Sequence, residues 1–267
     1  MKVVILTGDE IRHQYFRLKV SNDRRIQVLA SYCEGVEKSL ANRINSNIDS
    51  TLMEKLHVTA RTQSEQDFFG DSINSLEDKS NPIKLVKGKI NEELIVNDIE
   101  GLGADLLICY GSSLIKSSLL KSYKNKFLNV HLGLSPYYRG SGTNVWPLIN
   151  REPDMVGATF MYIDEGFDTG KIIHQIRADI FIGDSPHSIG NRLIKKMTST
   201  YCDIVSSFYH LTDEMQPNSD GKLYFVKDFN SEACANLYQN VNEDMIYQYI
   251  LNKSESSLPY IVTNKGL

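Results

Sequence analysis

Lys2-Val-Val-Ile-Leu-Thr7 is closed by Gly8-Asp9, and a helical segment at 10–20 leads to Ile26-Gln-Val-Leu-Ala-Ser31. This strand–helix–strand order decides the fold class, because both apolar runs are short, bounded by turns and too continuous for a half-exposed strand. Such a unit builds a parallel sheet. The turn at Gly8 lacks the full Gly-x-Gly-x-x-Gly fingerprint, so no NAD site is expected there. The same alternation continues downstream. A polar helical stretch at 36–82 breaks at Asn81-Pro82, and a short helix spans 90–101. Ala104-Asp-Leu-Leu-Ile-Cys-Tyr110 reads as a central strand, and Gly111-Ser-Ser-Leu-Ile115 turns into a helix. Phe127-Leu-Asn-Val-His131 reads as the end of another buried strand. The expectation is an α/β fold with a mostly parallel central sheet.

The 267 residues suffice for one large domain or a domain with an extension. A hydrophobic fraction of 41% and a charged fraction of 23% are ordinary for a globular chain. The net charge of −4 disfavours nucleic acid, whose binders carry a basic face. Cys33, Cys109, Cys202 and Cys234 form no Cys-x-x-Cys pair and read as small buried hydrophobes. With no signal peptide and a chain that starts directly as a strand, they point to the cytoplasm. The six histidines have no metal-ligand spacing, so no metal is expected. No apolar run reaches the ~18 residues that span a bilayer, so no membrane is expected either.

The chemistry gathers around three residues. Asn129 and His131 are two apart on a strand and therefore share a face. Pro136 and Gly140 force the following chain into a loop. Val156–Ile163 and Lys171–Ile176 read as strands flanking Asp168. An amide, an imidazole and a carboxylate in one pocket suit the attack of an amine on a carbonyl carbon. That attack creates an oxyanion and a surplus proton, which these groups can stabilise and relay. Taken by spacing alone, an Asn and a His at a strand end are more often satisfied polar groups.

Asn129-x-His131, then Leu134-x-Pro136-x-Tyr138-Arg139-Gly140, then Asp164-x-Gly166-x-Asp168-Thr169-Gly170-x-Ile172 and Gln175, resembles the formyltransferases that use N10-formyltetrahydrofolate. The resemblance implies a Rossmann-like formyltransferase domain over 1–210 and a small C-terminal extension, a strand plus a helix, over 211–267. It implies Asn129, His131 and Asp168 as catalytic residues, with Asn129 and His131 stabilising the oxyanion and Asp168 taking the proton. It places the formyl donor against Ser112, Ser113, Leu114, Ile115, Asp164 and Glu165. The acceptor is expected against Tyr137, Tyr138, Arg139, Asn144 and Trp146, with Arg12 and Arg61 meeting a diphosphate. On composition alone, the shared helix face of His57, Arg61 and Glu65 reads more simply as a solvated Arg–Glu pair. Two departures from the common pattern stand out. Leu132-Gly133 replaces a frequent Pro-Ser, and Thr143 stands where tRNA-directed members often have Pro. Both are expected to leave the three catalytic residues untouched and to bear on the acceptor.

Asp184-Ser-Pro-His187 opens a helix, with Pro186 suited to its first turn. Ile189, Leu193, Ile194, Met197, Tyr201, Ile204, Val205 and Phe208 then keep helical spacing and read as core. Beyond a turn at 216–221 lie a short strand at 223–226 and a helix near 232–251. That tail is too short for a second full domain. Its length is a feature of the sugar-directed members, so the expected acceptor is a nucleotide-linked amino-deoxysugar made for a surface polysaccharide such as lipopolysaccharide. A homodimer is expected from the family. Formylation of glycinamide ribonucleotide or methionyl-tRNA, hydrolysis of formyltetrahydrofolate, and a non-enzymatic folate-binding role are the alternatives.

Overall fold

Val3, Val4, Ile5 and Leu6 are all fully buried, because their strand lies mid-sheet with helices over both faces. The computed structural model describes residues 1–219, 221–253 and 258–267. In chain order, β1 (Lys2–Gly8), α1 (Ile11–Ser21), β2 (Gln27–Glu34), α2 (Leu40–Ser46), α3 (Leu52–Ser75), β3 (Pro82–Leu85), α4 (Glu93–Gly101), β4 (Leu106–Tyr110), α5 (Ser117–Ser122) and β5 (Phe127–His131) build the first part. Then come β6 (Tyr138–Gly140), α6 (Trp146–Ile149), β7 (Gly157–Tyr162), β8 (Ile172–Arg177), α7 (Pro186–Ser207), β9 (Lys222–Tyr224), α8 (Ser231–Asn242) and α9 (Met245–Asn252).

The main sheet runs β3-β2-β1-β4-β5-β7-β8. It is parallel through β5, and β7 and β8 add antiparallel. The chain steps outward from β1 to β3 and then returns to the other side of β1 at β4. That reversal opens a crevice beyond the carboxyl ends of β1 and β4, where open α/β sheets hold ligands. Register sets what stands at its mouth: Thr7 pairs with Tyr110, and Cys109 with Asn129.

Alternation divides the core. Val3, Ile5, Ile108 and Tyr110 pack with Phe16, Phe69 and Ile194 under α1, α3 and α7. Val4, Leu6, Leu107 and Phe127 pack with Ile99 and Leu119 under α4 and α5. Helix starts follow their caps. Thr51 Oγ1 accepts from Glu54 N at 3.2 Å at the head of α3, and Ser185 Oγ accepts from Ser188 N at 3.1 Å at the head of α7.

Several elements depart from the sequence expectation. The stretch at 36–82 holds two helices, parted between Ser46 and Leu52. Residues 111–116 stay irregular, and α5 starts only at Ser117. The helix expected near 232–251 breaks into α8 and α9 at Asp244, which takes φ +57°. The motif loop contains β6, which pairs parallel with β9: Tyr138 with Lys222 and Gly140 with Tyr224. Asp220, within the turn expected at 216–221, lies outside the described residues.

The chain beyond 210 is knitted into the rest. Tyr224, Phe229, Ala233 and Cys234 share a third core with Leu134, Tyr138 and Trp146. Farther on, Gln175 N donates to Val262 O at 2.7 Å, and Val262 N to Gln175 Oε1 at 3.0 Å. No described helix is long and apolar enough to cross a membrane.

Candidate active site

Asn129 and His131 stand at the end of β5, and the loop between β7 and β8 brings Asp168 to them. Asn129 Nδ2 donates to Asp168 Oδ1 at 3.4 Å. His131 Nδ1 lies 3.2 Å from Asp168 Oδ2. Gly140 N donates to the same Oδ2 at 2.9 Å. Asp168 takes φ +54°, in the left-handed region that Asp tolerates better than most residues. Its loop is held from outside: Gln216 Nε2 donates to Asp168 O and to Gly170 O, each at 2.8 Å.

The two sequence departures touch this group after all. Thr143 Oγ1 donates to Leu132 O at 2.7 Å and lies 3.1 Å from His131 Nε2. Its one proton is thus committed, so toward the imidazole it accepts. Tyr138 O accepts from the same Nε2 at 2.9 Å. Nε2 therefore carries a proton and Nδ1 faces the carboxylate. Gly133 keeps the space open, since a Cβ there would lie 2.5 Å from His131 Nε2 and 2.9 Å from Thr143 Cβ. With His131 Nε2 occupied by Tyr138 O and Thr143 Oγ1, Asn129 is the side chain of the three with an N–H to spare.

The three residues line a cleft of about 580 Å³ that continues over the β1–β4 crevice. Of the residues expected around the donor, Ser112, Ser113, Leu114, Ile115 and Asp164 line it, whereas Glu165 is exposed and does not. Buried Glu34 shapes that side, accepting from Ser113 N at 2.5 Å and Gly88 N at 2.7 Å. Asp164 organises its own loop, its Oδ1 accepting from Gly166 N at 3.0 Å and Thr169 Oγ1 at 2.7 Å. The irregular backbone of 111–116 leaves peptide groups outside any helix or strand, which fits a donor read by hydrogen bonds to the main chain.

The residues expected around the acceptor divide. Asn144, Arg12 and Arg61 line the cleft; Tyr137, Tyr138, Arg139 and Trp146 do not. Tyr137 and Tyr138 line a separate shallow depression. The Tyr138 hydroxyl bonds Glu152 and accepts from Asn150 Nδ2. Arg139 donates to Gly221 O at 3.3 Å. Trp146 stacks on Tyr224 with centroids 4.3 Å apart. The β6–β9 pairing sets Tyr138 and Arg139 against the C-terminal segment. The cleft also gains Leu223, Tyr224, Phe225 and Phe229, from the Tyr- and Phe-rich tail whose aromatic residues the sequence offered for stacking on a base without singling any out.

Arg12 and Arg61 are not free cations. Arg12 pairs with Glu10 and, at 2.9 Å, with Glu65. Arg61 pairs with Glu65 at 3.1 Å and Glu10 at 3.5 Å. Nor is the His57–Arg61–Glu65 face solvated, since His57 and Glu65 are buried under neighbouring helices. Burial would raise the Glu65 carboxyl, but the two guanidiniums outweigh it and hold it below the usual range. Burial, helped by Arg12, holds the His13 imidazole well below its ordinary value. Burial, then His187, pushes His57 down to about 3. Burial, then Arg61, pushes His187 down to about 4. The described residues contain no cluster of His, Cys, Asp and Glu able to hold a metal ion.

The sheet order and the crevice are those of a Rossmann-like domain. Residues 1–205 match the family model described as formyl transferase, and the chain belongs to that family of enzymes. It is 36% identical over 102 residues to the methionyl-tRNA formyltransferase of Alkaliphilus oremlandii, a match covering 38% of this chain. That match spans about a third, 32%, of the relative's length. Among solved structures, a sugar N-formyltransferase from Shewanella sp FDAARGOS_354 superposes with TM-score 0.58 at 17% identity, covering 90% of this chain and 88% of its own. Glycinamide ribonucleotide transformylase 1 from Symbiobacterium toebii superposes with TM-score 0.54 at 15% identity, covering 81% and 94%. At these identities the two structures speak to the fold.

Proposed function

We propose that the chain transfers a formyl group from N10-formyltetrahydrofolate to the primary amine of a nucleotide-linked amino-deoxysugar. The observation that carries the acceptor is the wall built beside Asp168 by Leu223, Tyr224, Phe225 and Phe229. It offers apolar and aromatic surface of the kind a nucleoside stacks on. Phe225 is 46% exposed, and Phe167, on the Asp168 loop, is 48% exposed across from it, with ring centroids 6.5 Å apart.

In this proposal the donor lies along Ser112–Ile115 and the Asp164 loop, and supplies the formyl carbon. The chain's residues do the rest. Asn129 donates its spare amide N–H to the formyl oxygen as negative charge gathers there. Asp168, beside His131 Nδ1, accepts the proton released by the attacking amine. The Nδ1–Oδ2 contact at 3.2 Å gives that proton a place between two bases, from which it passes to N10 of the leaving tetrahydrofolate as the bond between N10 and the formyl carbon breaks. Gly140 N keeps the carboxylate aimed into the cleft. The proposal further takes 1–210 as the catalytic unit and 211–267 as an extension, in a cytoplasmic homodimer that light scattering can check.

A second reading, formylation of methionyl-tRNA, is favoured by the 36% identity to the Alkaliphilus enzyme. One assay separates them. The chain is incubated with N10-formyltetrahydrofolate and TDP-, UDP- or GDP-linked 3-amino and 4-amino deoxysugars, glycinamide ribonucleotide, methionyl-tRNA, or no acceptor. Turnover with one nucleotide sugar is expected. Turnover with methionyl-tRNA alone sinks the sugar reading, and donor consumption without acceptor makes the chain a hydrolase.

A further inference from the structure

The β1–β4 crevice, where open α/β folds commonly hold phosphate at a helix N-terminus, is electrically closed in this chain. Glu10 is the N-cap residue of α1, and its carboxylate reaches both Arg12 and Arg61. Glu65, from α3, bridges the same two guanidiniums. Two carboxylates and two guanidiniums thus close a ring in which each anion contacts both cations, and the ring carries no net charge. All four line the cleft. The neighbouring imidazoles of His13, His57 and His187 are held neutral by burial, so they add no positive charge. A phosphate entering here meets two carboxylates that already occupy the cations it needs.

The same compartment has unused neutral hydrogen-bonding capacity. The ring engages two nitrogens of each guanidinium and leaves further N–H groups over. Tyr110, which ends β4 and lines the cleft, is 3% exposed, and its hydroxyl has no partner among the described residues. Burial holds that phenol well above its ordinary range, so it stays a donor. Fixed donors beside fixed acceptors suit hydroxyl groups, each of which both donates and accepts.

We infer that the compartment of Glu10, Arg12, Arg61, Glu65 and Tyr110 is a subsite for an uncharged hydroxylated group, and that Glu10 and Glu65 make it reject phosphate. Its positive half rests on the proposed sugar acceptor, whose ring hydroxyls it would read; its negative half stands without that proposal. The diphosphate of such an acceptor then lies outside this compartment, against the expectation for Arg12 and Arg61.

Calorimetric titration with inorganic phosphate and with ribose 5-phosphate, at fixed ionic strength, tests it. The wild-type chain is expected to show no site-specific binding. Glu10→Gln removes one charge at nearly constant shape and should tighten both probes by about tenfold to a hundredfold, the range of a charge-assisted hydrogen bond. Adding Arg12→Ala should abolish the gain. Glu65→Gln makes the same prediction should Glu10→Gln melt early. Phosphate bound by the wild type and lost in Arg12→Ala overturns the inference, as does no gain in either folded glutamine variant. For the positive half, Tyr110→Phe should raise KM for the turned-over amino sugar about fivefold, with a smaller effect on kcat. An unchanged KM overturns that half. If no sugar turns over, the proposed function and the positive half fail together, and the phosphate titration still decides the negative half.

Discussion

At the scale of single residues, the group around Asp168 is held by contacts from several directions. Removing the one amide free to meet the developing oxyanion should be costly: Asn129→Ala is expected to lower kcat by about 10²–10³. Thr143 is a subtler case, since its hydroxyl is held between Leu132 O and His131 Nε2. Thr143→Val keeps the shape, removes the acceptor at Nε2 and leaves Leu132 O without its donor. Loss of about tenfold in kcat with little change in donor KM is expected, whereas Thr143→Ser should stay near wild type. Equal kinetics for the valine and serine variants would show that the hydroxyl is irrelevant. Asn129 and His131 were legible in sequence because strand geometry fixes the relation of residues two apart. Thr143 was not, because nothing local says that a loop residue folds back onto the imidazole twelve positions earlier.

At the scale of elements, His57 on α3, His187 at the head of α7 and Tyr238 on α8 form one joint. His57 Nδ1 lies 3.1 Å from Tyr238 Oη, and Tyr238 Oη 3.4 Å from His187 Nε2. Both imidazoles are depressed in the folded chain, His57 to about 3 and His187 to about 4. The unfolded chain therefore binds protons that the folded chain refuses once pH falls below about 6.5. Stability is unaffected above that value and declines as pH drops toward the folded values. Between pH 7.5 and 5, His57 alone should remove about 2 kcal/mol. Urea unfolding at the two pH values measures it, and His57→Gln should flatten the dependence. An unchanged urea midpoint would show that the joint does not control acid stability. Helix α7 was legible from its cap and apolar stripe, but the breaks between α2 and α3 and between α8 and α9 were not. Nor was the meeting of the helices legible: His57 and Arg61 looked solvated because no local pattern reports the neighbours that will cover them.

At the scale of the whole molecule, the segment beyond residue 210 works on the catalytic loop as well as covering the cleft. Gln216 bonds the carbonyls on either side of Thr169, and β9 holds β6 in place next to Gly140, whose N–H meets Asp168. Gln216→Ala is thus expected to lower kcat about tenfold while leaving the thermal midpoint within a few degrees. If kcat holds and the midpoint falls instead, the contact is structural only.

By itself the sequence determined the alternating strands and helices, the parallel core and the three side chains, Asn129, His131 and Asp168, that the structure brings together. Each depends on periodicity, on turn residues, or on spacing within one element and its loop. Only the tertiary structure decided that Tyr137, Tyr138, Arg139 and Trp146 lie outside the cleft, that Leu223, Tyr224 and Phe225 line it, and that Arg12 and Arg61 are neutralised by Glu10 and Glu65. The physical reason is the same in each case. These are contacts between segments far apart in the chain, set by the β6–β9 pairing and by the packing of α1 on α3, and no local pattern encodes which distant side chain will satisfy a buried charge or fill a cleft wall.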